Sequence, residues 1–122
     1  MPAPESIDAY LVGLPEPAQG VIAEIRRRIA TAAPEAEETI RYGMPAVQIG
    51  GRTVIHYAGW KAHAGLYPVY RGDAAYEAAL APWRDKKDTV RLPYKAEPFP
   101  WEIVEMILAA RLAVMRAGGG GV

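Results

Sequence analysis

The chain is predicted to fold as an α+β protein: a small antiparallel sheet with helices packed mainly on one of its faces. Three observations lead there. At 122 residues, with hydrophobic residues at 51% and charged residues at 23%, it has the size and composition of one soluble domain around one core. Two segments near the start and one at the end repeat apolar residues at helical spacing, whereas the middle breaks into short alternating runs of β-favouring residues. A domain this small buries one main layer interface, which gathers the helices on one side of the sheet.

Each element has its own signal. Ser6-Ile7-Asp8-Ala9 offers an N-cap and an acid in the first turn, with Tyr10, Leu11 and Leu14 at helical spacing, and predicts a short helix over about 6–13. Pro15 and Pro17 restart the chain. Ala18, Ile22, Ile25, Ile29 and Ala32 then recur at steps of three and four, with Arg26, Arg27 and Arg28 near the opposite side, predicting an amphipathic helix over about 16–32 that Pro34 ends. Residues 35–44 are too few for a full helix and too acidic for a strand, so one helical turn and a bend are expected. Strands follow at 46–49, 53–58 and 63–67, separated by Gly50-Gly51 and Gly59-Trp60-Lys61. Gly72-Asp73-Ala74 opens a helix to about residue 80, closed by Pro82, and 89–92 form a fourth strand closed by Pro93. The last helix, about 100–116, carries Ile103, Ile107, Ala110 and Val114 on one stripe and Val104, Leu108 and Leu112 beside it, an arc wide enough for deep burial. The order is α-α-β-β-β-α-β-α over residues 5–116, with disordered tails expected at 1–4 and, around the Gly118–Gly121 run, at 117–122.

Period-2 alternation sorts the strand residues. With Val47, Ile49, Ile55, Tyr57, Leu66, Val90 and Leu92 toward the helices, the other face presents Gln48, His56, His63, Tyr67, Thr89 and Arg91. That second set is polar, aromatic and cationic. His63, Tyr67 and Arg91, with Lys61 or Lys87 nearby and Tyr42, Met44 and Trp60 as walls, have the chemistry of a site for a small anion or planar metabolite. The same face also suits a dimerising surface, so the expected state is monomer or homodimer.

Other classes are excluded or unsupported. Lys+Arg and Asp+Glu balance at 14 each, so no overall field recruits nucleic acid or anionic lipid. The short basic clusters Arg26-Arg27-Arg28 and Arg84-Asp85-Lys86-Lys87 are offset by neighbouring acids. There is no cysteine, hence no thiolate metal site or thiol nucleophile, and neither a secretory start nor a membrane-spanning run, which points to the cytoplasm. Ser6, the one serine, already reads as a helix cap, and no phosphate loop is present, so no enzymatic activity and no resident cofactor are expected. Metal has two routes. A two-residue turn at Gly59-Trp60 would set His56 opposite His63, and surface carboxylates Glu5, Asp8, Glu35, Glu37 and Glu38 could hold a labile hard ion.

Tyr42-Gly43-Met44-Pro45, Lys61-Ala62-His63-Ala64-Gly65-Leu66-Tyr67-Pro68 and Lys87-Asp88-Thr89-Val90-Arg91-Leu92-Pro93 resemble the three signature blocks of the YdhG-like bacterial family. Ile7-Asp8-Ala9-Tyr10-Leu11 and residues 33–40 are similar to it too, so the resemblance covers about residues 5–115. Much of that family is known only as a domain of unknown function. The resemblance implies a small α+β fold. One member is described as a frataxin-like intracellular iron chaperone, which implies labile iron as cargo here; of the surface carboxylates, Glu35, Glu37 and Glu38 are the metal candidates, because oxygen ligands suit a labile hard ion. The family usually has Gly where this chain has Asp88, and the zero net charge differs from a strongly acidic frataxin-type surface.

Overall fold

A computed structural model describes residues 6–117. Glu5 and the expected tails at 1–4 and 118–122 lie outside the described residues. Ala117, assigned to the second tail, instead caps the last helix, its N–H donating to the Ala113 carbonyl at 3.0 Å.

Helix α1, Ile7–Val12, starts where Ser6 Oγ accepts the Ala9 N–H at 3.1 Å. Helix α2, Glu16–Ala32, starts on Pro15 and buries Ala18, Ile22, Ile25 and Ile29, the stripe read from the sequence. Five strands follow in place of the expected four: β1 Glu37–Arg41, β2 Met44–Ile49, β3 Arg52–Gly59, β4 His63–Tyr67 and, after helix α3, β5 Val90–Pro93. Helix α3, Ala74–Leu80, is capped by Asp73, which accepts the Tyr76 N–H at 2.9 Å, and runs into a 3-10 turn on Pro82. Helix α4 is Trp101–Arg116.

Strand β1 overturns the expected helical turn at 35–44. The acids that argued against a strand are tolerated because β1 is the sheet's edge, where charges also discourage pairing with other chains. Both Glu37 and Glu38 are exposed, and Glu38 makes a two-pronged contact with Arg26 of α2 at 2.6 and 2.8 Å. Tyr42 and Gly43, at φ 54° and 75°, make the two-residue loop to β2, and Gly50 and Gly51, at 58° and 79°, make the next. Both loops have the two left-handed residues that a type I′ hairpin requires.

The strands run β1-β2-β3-β4-β5 across the sheet, each neighbour antiparallel, with α1, α2 and α4 packed over one face. Val47, Ile55, Tyr57, Leu66, Val90 and Leu92 are buried beneath Ile22, Ile25, Ile103, Ile107 and Leu108, so the period-2 assignment holds for them. The register shifts between Val47 and Gln48, and this irregularity turns both Val54 and Ile55 inward, a doubling that simple alternation does not anticipate. Arg111 of α4 reaches this point and donates to the Val54 and Thr53 carbonyls at 2.8 and 3.2 Å. On α4 the buried arc is Ile103, Val104, Ile107, Leu108, Leu112 and Met115. Val114, read as part of a buried stripe, is 52% exposed. Among the described residues no helix is long and apolar enough to cross a membrane.

Candidate functional site

The helix-free face of β3, β4 and β5 holds a cleft of about 560 Å³ lined by Trp60, Lys61, His63, Tyr67, Lys86 and Arg91, with Ala62, Asp85 and Thr89 completing it. Its floor begins with a missing side chain. Gly65 stands opposite Ala58 on β3 and Arg91 on β5, and a Cβ there would collide with the Tyr67 hydroxyl and come within 2.9 Å of Trp60 Nε1. The vacancy lets Trp60 and Tyr67 lean together over the sheet, the indole N–H donating to the Tyr67 hydroxyl at 2.6 Å. An aromatic corner results.

Two tyrosines pin the loop that carries Trp60. Tyr94 donates its hydroxyl to the Trp60 carbonyl at 2.8 Å, and the Gly59 N–H donates to the Tyr10 hydroxyl at 2.9 Å. Opposite the corner, the segment before β5 folds back: Arg84 bridges to Val90, and the Asp85 N–H donates to the Thr89 carbonyl at 2.9 Å. That fold brings Asp85 and Lys86 to the cleft, and Asp85 meets Arg91 at 3.0 Å. His63 lies between these groups. Partial burial, reinforced by the Arg91 charge and opposed by Asp85, holds its pKa below the ordinary 6.5, so the imidazole is neutral at pH 7.

Of the residues assigned from sequence, His63, Tyr67 and Arg91 come together in this cleft, with Lys61 and Trp60 beside them. Three assignments change. Lys87 gives way to Lys86, which lines the cavity. Tyr42 and Met44 are not walls of it: they sit at the β1–β2 hairpin, where the Tyr42 ring packs on His56 with centroids 5.8 Å apart. Arg91 keeps its place and is paired with Asp85 from the loop before β5.

The metal assignments also separate. His56 pairs with Tyr67, and the hairpin turns at Lys61-Ala62 with the Trp60 N–H donating to the His63 carbonyl at 2.9 Å; the two histidines are therefore not opposite each other. Burial and the nearby Arg41 charge lower the His56 pKa, and its Nδ1 has no hydrogen-bond partner among the described residues. Glu37 and Glu38 are consecutive on β1 and point to opposite faces. Glu35 is held by Arg116 at 2.9 and 3.0 Å, and Glu38 shares Arg26 with Asp8. Among the described residues no three His, Asp or Glu side chains converge as a metal-binding group. Three residues that shape the cleft, Gly65, Asp85 and Lys86, were missed. A glycine inside a strand pattern is a signal for close approach and was there to be read; the position of Lys86 depends on a loop register that the sequence does not display.

No family model matches the chain, and neither does any curated protein. Among solved structures, the crystal structure of YdhG, a DUF1801 family protein from Bacillus subtilis, superposes with a TM-score of 0.71 at 16% sequence identity, covering 93% of this chain and 94% of that one. The architecture that the three sequence blocks imply is thus the one observed, and the chain is YdhG-like in fold.

Proposed function

We propose that the protein is a non-enzymatic binding module that takes a small anion carrying a planar group into the cleft on its helix-free sheet face. One observation carries this reading: Lys61, Lys86 and Arg91 surround the Trp60–Tyr67 corner with Asp85 as the one carboxylate in the lining, three cations against one anion. A few convergent charged groups beside an aromatic wall in a cleft of this size suit a ligand with one ionic and one flat end. Ser6 is occupied as the cap of α1, its hydroxyl accepting the Ala9 N–H at 3.1 Å. A chain without cysteine fits the reducing cytoplasm.

A thermal-shift screen followed by calorimetry tests the proposal, with sulfate, phosphate, phenyl phosphate and ferrous ion as probes. Phenyl phosphate is expected to stabilise the protein more than phosphate, because the phenyl group adds contact with Trp60 and Tyr67. Lys86→Ala should weaken that binding several-fold. No stabilisation by any of the anions at millimolar concentration would overturn the reading. Ferrous binding that is lost when Glu35, Glu37 and Glu38 are replaced by Gln would transfer the function to iron, the cargo implied by the family resemblance.

A further inference from the structure

A second cavity, about 290 Å³, shares no residue with the sheet-face cleft and lies between the segment before α3, Tyr76 of α3, and Ala110, Arg111 and Val114 of α4. Tyr70, Tyr76, Ala110 and Val114 give it an apolar side beside the charged groups of Arg71, Asp73 and Arg111. Tyr70 and Val114 are 55% and 52% exposed, and both border this one groove. Val114 belongs to a helical stripe whose spacing reads as core, and the fold leaves its end uncovered.

At the end of the groove stands a cation with a fixed plane. Arg111 donates from Nε to the Val54 carbonyl and from Nη2 to the Thr53 carbonyl, and its guanidinium carbon lies 5.1 Å from the centre of the Tyr70 ring. Those bonds occupy one edge of the guanidinium. Among the described residues both N–H groups on Nη1 and one on Nη2 remain, and one from each nitrogen forms the end-on pair whose spacing matches a carboxylate. Among the described residues Arg111 has no salt bridge to a carboxylate. The other charged groups of the groove are engaged: Arg71 pairs with Glu77 at 3.0 Å, and Asp73 caps α3 through the Tyr76 N–H.

We infer that this groove is a binding site for a small aromatic monocarboxylate, its ring between Tyr70, Tyr76 and Val114 and its carboxylate on the free end of Arg111. A single uncompensated cation, with Asp73 close by, favours one negative charge over two. The apolar walls supply the ring's contacts and the fixed guanidinium supplies direction.

The test uses the 122-residue chain in NMR titrations with 3-phenylpropionate, its neutral amide, and acetate. The acid should give saturable shifts of the Tyr70 and Tyr76 ring signals and of the Arg111 Nε–H, with the amide and acetate each about tenfold weaker or worse. Arg111→Lys should weaken binding by a similar factor. Because Arg111 also holds β3 carbonyls, Val114→Glu, at an exposed position, serves as the second variant and should abolish the shifts with the spectrum otherwise folded. Arg91→Ala should leave them unchanged, separating this groove from the sheet-face cleft. Absence of saturable shifts, an amide that binds as well as the acid, or full binding by Val114→Glu would each overturn the inference.

Discussion

Gly65 lies beneath two large rings, and the smallest side chain there would strike them: an added Cβ would approach Tyr67 Cζ to 2.7 Å and Trp60 Nε1 to 2.9 Å. Gly65→Ala should therefore push the aromatic corner off the sheet and break the 2.6 Å hydrogen bond between Trp60 and Tyr67. Overpacking of this kind costs about 1–3 kcal/mol, read as a lower urea midpoint, and the anion response should fall with it. His63 sets a pH dependence. Its pKa is depressed in the free protein by burial and by Arg91, and a bound anion would favour the charged imidazole. Proton uptake then accompanies binding, so affinity should rise as pH falls. Sulfate is the suitable probe because it does not titrate in this range. Calorimetry at several pH values should give a slope that His63→Ala flattens.

Among the elements, the link between α3 and the loop before β5 rests on one arginine. The Arg84 side chain is 8% exposed and donates to Glu77 and to the carbonyls of Val69, Tyr70 and Lys87. These contacts, with the Gly72 N–H and Arg71, hold the Glu77 carboxyl down at about 2 against an ordinary 4.5. A depressed acid stabilises the fold above its unfolded pKa and loses that contribution as pH falls through its folded value. Acid unfolding should accordingly show a stability loss between about pH 5 and 2 that Glu77→Gln removes from the profile, since the amide cannot titrate. The helices were legible because Ile22, Ile25 and Ile29 on α2 and Ile103 and Ile107 on α4 repeat at a period that only a helix buries. β1 was not. Glu37-Glu38-Thr39-Ile40-Arg41 is a strand because β2 pairs with it and Arg26 neutralises Glu38, both facts of the assembled fold. The cleft was legible on β4 and β5, where alternation places His63, Tyr67 and Arg91 together, and illegible in the loop before β5, whose path brings Lys86 and not Lys87 to the cavity.

Over the whole molecule, the sheet divides the work between its faces. The helix-covered face holds Leu66, Val90, Leu92 and Ile107 in the core, while the open face holds the cleft beside side chains that remain partly solvated. Stability and binding should therefore respond to different substitutions. Leu66→Ala or Ile107→Ala removes buried volume and should cost about 2–5 kcal/mol, lowering the melting temperature by more than about 8 °C. Arg91 is about half exposed and its pair with Asp85 meets water, so that contact contributes about 0–1 kcal/mol. The measurement that bears most directly on the cleft is a melting curve of wild type and Arg91→Ala with and without phenyl phosphate. The expected result is an unliganded Arg91→Ala protein that melts within about 5 °C of wild type and gains nothing from phenyl phosphate, while wild type is stabilised. An Arg91→Ala protein that unfolds would make the residue a structural partner of Asp85, and one that responds to phenyl phosphate as wild type does would place anion binding outside this cleft.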